Sequence, residues 1–339
     1  MSAPRVAALM TTYNSAQYVR ETIDSVLHQT FDDFEFVIVD DGSTDSTVEI
    51  IKSYHDSRIN LFCRKENKGV GYSLQHALDF VTAPFIIKVD SDDISHPTRF
   101  EKMVSFLLDN PDISLVKSYF EYFADSDDVV SSERFVARKR DARLINSINT
   151  EALIAEHLPR WLCVEHTTYC ASTEAVRSAG YPNQRLCEDY ALFYKMHEQG
   201  RRMACLPEVL VQMRLSNNSV TAALDAEKLR LWFGYLLEFK LPRLERLAGS
   251  ARKLAIYGSG GLARLLYKLL SEAGFEVLCL IEQQATATLT IGQTRVEVRA
   301  LQDCLGKKIV IAAQPVRLSV MQQLSESGLQ EWRDFMVIA

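Results

Sequence analysis

Three short segments carry more carboxylates and hydroxyls than a turn needs: "TTYN" (11–14), "DDGSTD" (40–45) and "DSDD" (90–93), each directly after an apolar run. An acidic pair at a strand end can accept hydrogen bonds from a base and a ribose. A cluster such as Asp90, Asp92 and Asp93 offers the hard oxygen ligands that divalent Mg2+ or Mn2+ prefers. A cation there would offset the carboxylate repulsion, grip a diphosphate and stabilise negative charge on a leaving group. A further acidic pair, Glu188–Asp189 in "RLCEDYALFYKM", stands at the start of a predicted helix. The helix dipole favours acids there, and a carboxylate beside an acceptor hydroxyl would also serve as general base; position alone admits both. Singly, "DDGSTD" and "DSDDISHP" read as turns before helix caps. Jointly they read as one site, because parallel α/β sheets bind ligands outside the carboxyl ends of their strands.

The elements that must position these residues follow from periodicity. Val6–Met10, "FEFVIVD", "INLFC" (59–63) and "FIIKVD" read as strands. Between them Val19, Thr22, Ile23, Val26 and Leu27 share one helical face, as do Leu74, Ala77, Leu78 and Val81. That alternation predicts a parallel α/β sheet. Ser46 with Glu49 has the spacing of a capping box. Pro97 suits the first turn of a helix whose inner face is Phe100, Met103, Val104 and Leu107. Residues 112–150 read as mixed with a loop at "ADSDD", "EVLVQM" as a strand, and 223–248 as helical with a kink or break at Pro242. A fresh strand–glycine turn–helix–strand pattern begins at Lys253. The expected domains are therefore 1–222, a helical connector at 223–250, and a small α/β domain at 251–339.

With 339 residues, 47% hydrophobic and 24% charged, the chain has the material for two ordinary cores. A net charge of −6 argues against general nucleic-acid binding. Seven scattered cysteines without a CxxC pair point to reduced thiols in the cytoplasm rather than disulfides or a zinc site. No run reaches signal-peptide or membrane-spanning character, which leaves peripheral association with the inner face of the cell membrane open.

The order of segments from 5 to 221 resembles the family 2 glycosyltransferases of the GT-A fold, notably bacterial enzymes that build O-antigen, capsule and other surface polysaccharides. The resemblance rests on "VAALMTTYNSAQYVRETIDSVLHQTFDDFEFVIVDDGSTDSTVEII", "NKGVGYSLQHAL", "FIIKVDSDDISHPTRFEKMVSFLLDNPDISLV", "CEDYALFYKMHEQG" and "LVQMRLSNNSVT". It implies a mostly parallel, Rossmann-like sheet and an inverting transfer from a nucleoside-diphosphate sugar, commonly UDP-linked, to a saccharide or lipid-linked saccharide. It places Thr11 and Tyr13 in the nucleotide pocket and Asp41 on the base. Asp90, with Ser91 beside it, faces the ribose and diphosphate, and Asp92 is the ligand for Mn2+ or Mg2+, with Asp93 a second ligand or a support. Asp189 falls on the catalytic base, with Glu188 next to it, and His166 of "VEHTTY" falls on the acceptor side or is a structural histidine. Where many members carry Ala-Arg-Asn, this chain has Ser73-Leu74-Gln75, so a diphosphate contact must come from elsewhere: Lys65, Lys68 or Lys88. Lys88 is equally a charge partner for the aspartates.

In the last domain "GSGGLA" opens a helix after a strand and Glu282 ends the next strand, so Gly258, Gly260, Gly261 and Glu282 form a candidate ligand loop of Rossmann type. A structural or self-association module, and hence a homo-oligomer, is the competing expectation. Two rivals to a transferase remain at this level: a sugar nucleotidyltransferase, which should have a glycine-rich basic loop where "TTYNSAQ" stands, and a non-catalytic sugar-nucleotide sensor.

Overall fold

The computed structural model describes residues 4–217, 225–284, 288–312 and 316–338. The chain divides into two compact units, Met1–Leu224 and Asp225–Ala339.

The first unit is built on an eight-stranded sheet. Its strands are β1 (Val6–Thr12), β2 (Phe34–Asp40), β3 (Ile59–Cys63), β4 (Phe85–Asp90), β5 (Ile94–Ser95), β6 (Ile113–Ala124), β7 (Tyr169–Ser172) and β8 (Arg202–Leu215), in the order β3-β2-β1-β4-β7-β6-β8-β5. The first four are mutually parallel. β1 and β2 are apolar on both faces because helices cover both sides, which is why they read as continuous hydrophobic runs. The predicted helical stripes are buried as expected: Val19, Thr22, Ile23 and Val26 in Val19–Leu27, Leu74 and Ala77 in Val70–Ala77, and Phe100, Met103, Val104 and Leu107 in Arg99–Asp109. The chain order reverses between β1 and β4, and in open α/β sheets such a switch point is where ligands bind.

Two local expectations are corrected and a third is given its detail. Helix Thr47–Lys52 has no side-chain cap from Ser46; instead Asp45 Oδ1 accepts from Thr47 N at 3.0 Å, so the aspartate wins the capping position. Pro97 lies just before the helix that starts at Arg99. Residues 112–150, read as mixed, resolve into the twelve-residue strand β6, a bend at Asp125–Ser126 inside the expected loop, and helices Asp127–Val130 and Glu133–Ser147. β6 pairs in parallel with β8, itself fourteen residues long. The polar interruptions that hid β6 include Lys117, which is buried and spends its ammonium on two carbonyls, Ile145 O at 2.9 Å and Cys163 O at 2.7 Å.

The second unit carries β9 (Lys253–Tyr257), β10 (Glu276–Glu282), β11 (Thr288–Ile291), β12 (Thr294–Ala300), β13 (Ile309–Ile311) and β14 (Phe335–Val337), in the order β11-β12-β10-β9-β13-β14. All neighbours are parallel except the β11–β12 hairpin. The helix expected as a connector, Ala226–Ala248, belongs to this unit: its fully buried Lys240 donates to Ile338 O at 2.8 Å. Pro242 removes one backbone donor, yet the helix runs through it unbroken. No helix among the described residues is long and apolar enough to cross a membrane.

Replacing Lys117 by methionine keeps the stem and strips two carbonyls of their donor. Urea titration is expected to show a loss of about 2 kcal/mol; unchanged or higher stability would mean that the bonds only offset the cost of burying the charge.

Candidate active site

Strand register brings the first set of residues together. Thr11 stands opposite Asp90 on one side and Val39 on the other, and Thr12 opposite Asp40. The loops beyond are stitched by short-range polar contacts. Asn14 N donates to Ser43 Oγ at 2.9 Å, Thr44 N donates to Asn14 Oδ1 at 2.8 Å, and the Ser15 and Ser91 hydroxyls share a hydrogen bond of 2.8 Å. Asp40 is spent on its own turn, accepting from Gly42 N and Ser43 N. Asp41, 4% exposed, accepts from Lys68 N at 3.1 Å and Gly69 N at 2.8 Å, with Arg64 Nε 3.4 Å away. It therefore organises the loop after β3. The Arg64 guanidinium lies 4.1 Å over the Tyr72 ring, Lys68 Nζ lies 5.2 Å from it, and Tyr13 stands 47% exposed.

The crowding of Asp90, Asp92 and Asp93 is managed from below. Lys88, fully buried within β4, donates to the Asp90 carboxylate and to Val89 O. Burial by itself would raise the Asp90 pKa, but the Lys88 ammonium and its hydrogen bond, with help from Arg99, bring it below the ordinary value. Arg99 is also fully buried, donating to Ser95 Oγ, Lys88 O and Thr167 O, and burial lowers its own pKa to about 10. Those cations do not suffice for the other two acids. Burial and then repulsion from Asp90 push the Asp92 carboxyl up to about 6, and burial with repulsion from Asp92 and Asp90 carries Asp93 well above its usual range. Arg214, held between the rings of Tyr18 (4.4 Å) and Phe123 (4.5 Å), pins this turn. Its backbone N–H donates to Asp93 Oδ1 at 2.8 Å and its Nε to Asp92 O at 2.9 Å.

The second set comes from the segments before β7 and before helix Glu188–Glu198. Cys187 takes a left-handed backbone (φ 64°) and turns the chain so that Glu188 and Asp189 form the first turn of that helix. Tyr190 N donates to Asp189 Oδ1 at 2.6 Å. Burial, and to a lesser degree the negative charge of Asp90, raise the Asp189 carboxyl to about 6. Burial and Asp189 together raise Glu188 well above its normal range. Asp90 N donates to Thr167 Oγ1 at 3.4 Å and the adjacent His166 stands 3.8 Å from Glu188 Oε1, so the segment before β7 bridges the end of β4 and the start of this helix. Glu165 joins them: burial and Asp189 push it to about 7. His166 is buried 3.8 Å from Glu188 Oε1 and bonds Tyr181 Oη at 3.2 Å; burial and then Lys88 lower it to about 3, so it is neutral.

The fold thus gathers Thr11, Tyr13, Asp41, Asp90, Ser91, Asp92, Asp93, Lys68, His166, Glu188 and Asp189 on one unit. Gly258, Gly260, Gly261 and Glu282 belong to the other: Gly258 (φ 116°) follows β9, Gly260 and Gly261 open helix Gly261–Glu272, and Glu282 ends β10. Sequence reasoning missed Arg99, Glu165 and Arg214, whose roles arise from contacts far apart in the chain and leave no local pattern. As to a metal, no group of three or more potential ligands converges among the described residues. Asp93 is committed to Arg214 and Asp90 to Lys88, which leaves the Asp92 carboxylate without a hydrogen-bond partner on another of the described residues. One free carboxylate fits a hard cation that takes its remaining ligands from a diphosphate and water.

Comparison with known proteins agrees with this layout. The model of the family Glycosyl transferase family 2 matches residues 7–168. EpsE of Bacillus subtilis, which carries a glycosyltransferase name, is 32% identical over 220 residues, 63% of this chain and 74% of EpsE. The Escherichia coli UDP-Gal:alpha-D-GlcNAc-diphosphoundecaprenol beta-1,3-galactosyltransferase is 26% identical over 221 residues, 64% of this chain and 76% of that enzyme. The mannosyltransferase PcManGT of Pyrobaculum calidifontis, solved with GDP-Man and Mn2+, superposes with a TM-score of 0.54 at 21% identity, covering 70% of this chain and 65% of that one. At that identity the likeness establishes the shared fold.

Replacing Lys88 by methionine removes the ammonium that holds Asp90 ionised. In EDTA at pH 8 the variant is expected to lose about 1 kcal/mol in urea titrations, because a carboxylate one-third exposed (33%) is left unpaired. The loss should shrink as pH falls towards 5, since Asp90 freed of Lys88 has a raised native pKa and gains stability by taking a proton. A pH-independent loss would show that Lys88 matters for packing alone.

Proposed function

The chain belongs to glycosyltransferase family 2 and is a glycosyltransferase, and from that premise we propose an inverting transfer from a UDP-sugar to a saccharide or lipid-linked saccharide in surface polysaccharide synthesis. The observation that carries the reading is the bridge formed by His166 and Thr167, which meets Asp90 at the end of β4 and Glu188, beside Asp189, at the start of its helix. A donor site and an acceptor-side base on opposite walls are what a single displacement requires. The donor and acceptor classes take their support from the E. coli relative, whose name specifies UDP-Gal and a diphosphoundecaprenol-linked sugar.

In this reading Thr11 and Tyr13 line the nucleotide pocket. Asp41 has acceptor capacity left after its bonds to Lys68 N and Gly69 N and takes a hydrogen bond from the base. Asp90 and Ser91 face the ribose and diphosphate, and the exposed Lys68 approaches the phosphates. Asp92 holds the divalent cation, Mn2+ or Mg2+, while Asp93, turned into the protein onto Arg214, is a support. A cation held by Asp92 would supply positive charge towards the departing diphosphate. Asp189 accepts the proton of the acceptor hydroxyl as its oxygen attacks the anomeric carbon. The bond from that carbon to the diphosphate oxygen breaks, and the nucleoside diphosphate leaves with the electron pair, so the configuration inverts. Glu188, whose carboxyl burial and Asp189 raise well above its usual range, sits beside the base. Neutral His166 braces Glu188 and Tyr181 from the acceptor side.

Two measurements test this. In a thermal-shift screen of UDP-, GDP- and dTDP-sugars, a UDP-sugar is expected to stabilise the protein only with Mn2+ or Mg2+, and both that shift and transfer should vanish for Asp92→Ala. Full transfer by Asp92→Ala, or in EDTA, would sink the metal assignment. For the base, Asp189→Asn should lower kcat by about 10²–10⁴-fold with donor binding retained. Since Asp189 must be ionised to accept a proton and its carboxyl lies at about 6, kcat should be level above that pH and fall about tenfold per unit below it. An acid limb near pH 4 would point to another base.

A further inference from the structure

Between Tyr181 and Cys187 the chain forms neither helix nor strand, yet it delivers Asp189 to the site. Its position must come from contacts across space: the Tyr181 hydroxyl meets Tyr169 and His166, and the rest of the segment leans on the loop after β3 and the helix that follows it. Tyr181 N donates to Gln75 Oε1 at 2.8 Å, and Gly71 N donates to Gln184 O at 3.1 Å. Arg185 forks onto a single residue, with Nη1 on Asn67 Oδ1 at 3.1 Å and Nη2 on Asn67 O at 3.0 Å.

The approach is close enough to dictate glycine on the other side. A Cβ on Gly69 would stand 2.6 Å from Arg185 Cγ, and one on Gly71 would stand 2.4 Å from Pro182 O. The same loop is gripped from the opposite side by Asp41, through Lys68 N and Gly69 N. At the far end of the segment Cys187 holds a left-handed backbone that a residue with a side chain adopts only when its surroundings enforce it. Asp189 follows two residues later.

We propose that Arg185 is a positioning residue of the transfer reaction: it fastens the segment 181–187 to the donor-side loop 67–71 and so fixes where Asp189 stands. The proposal rests on the reading of Asp189 as the base. Arg185 touches no reacting atom in this scheme. Its work is geometric, and the same fastening joins the loop that Asp41 organises to the helix that carries the base. Losing it leaves the donor pocket built, because Asp41, Lys68 and Gly69 keep their own bonds, but lets the start of the Glu188 helix drift.

The test compares Arg185→Ala, Arg185→Lys and Asp189→Asn in the full chain with a UDP-sugar and Mn2+. Arg185→Ala is expected to lower kcat by about 10–100-fold, the penalty of a base displaced by about an ångström. Donor Kd by calorimetry should stay within about threefold, and the acid limb of the kcat–pH profile should move because the surroundings of Asp189 have changed. Arg185→Lys keeps one donor towards Asn67 O and should recover part of kcat, though not all, since the fork is lost. A donor Kd weakened as much as kcat would overturn the proposal by making Arg185 a donor contact. An unchanged kcat beside an inactive Asp189→Asn would overturn it alone, and an active Asp189→Asn would remove the base assignment and the proposal with it. A variant that merely unfolds would lose its thermal transition and donor binding together, which also counts against a positioning role.

Discussion

A buried ammonium under a ring of carboxylates is the interaction on which the first unit depends. Asp90, Asp92, Asp93, Glu165, Glu188 and Asp189 are drawn to one end of the sheet by elements far apart in sequence. At an effective dielectric near 20, two unit charges about 4 Å apart repel by about 4 kcal/mol, so such a gathering holds only if some acids are neutralised and others paired. Lys88 performs the pairing from inside the sheet, where it cannot be displaced by solvent. Arg99 adds a second buried cation and ties the backbone of β4 to the segment before β7 through Lys88 O and Thr167 O. The result is graded: Asp90 is held ionised, while Asp92 and Asp189 sit near 6 and Asp93 and Glu188 are raised further.

That gradation leaves the site short of positive charge. A stable protein without a ligand to bind would replace several of these acids, because each ionised, raised carboxylate costs folding free energy at neutral pH. Their retention is intelligible if the missing charge arrives with the donor. The rigid part of the design is the parallel core: Thr11, Val39 and Asp90 are in register on strands whose interiors are buried, and the loops beyond are cross-bonded through Asn14, Ser15, Ser43 and Ser91. Electrostatic strain is thereby confined to a few side chains on a frame that does not yield to it.

Much of this was legible in the sequence, and what was not has physical causes. The strands β1 and β2 announced themselves because both sheet faces are covered there and their apolar runs are nearly continuous, and the helices between the strands by their apolar stripes. The three strand-end motifs were visible because they recur after successive apolar runs, although each singly, like Glu188–Asp189 at a helix start, also has a structural use. β6 was not visible, because buried Lys117 and the polar residues around it break the apolar pattern, and their partners, Ile145 O and Cys163 O, lie far along the chain. The cap of helix Thr47–Lys52 was assigned one residue too late, since Ser46 and Asp45 are both good caps and only geometry separates them. Asp93 admitted two readings, ligand or support, and the backbone of Arg214 that turns it inward lies more than a hundred residues away. Arg99 and Glu165 have no motif at all.

The departure at Ser73-Leu74-Gln75 also acquires a physical meaning. Leu74 is fully buried, so the position where many family members carry an arginine points into the core here and cannot serve a phosphate. Ser73 is buried as well. Gln75 serves the opposite wall of the site, since its side-chain oxygen receives Tyr181 N and lies 3.4 Å from where a Cβ on Gly180 would be. A helix that could have offered a cation to the donor instead anchors the segment leading to the base. The cations nearest the nucleotide loop come from elsewhere: Arg64 over Tyr72, the exposed Lys68, and Arg185 across the gap. Charge lost from the helix is thus carried by side chains on loops, where it can bind and fasten at once. Such an exchange is workable only because Gly69 and Gly71 let the two loops touch backbone to backbone.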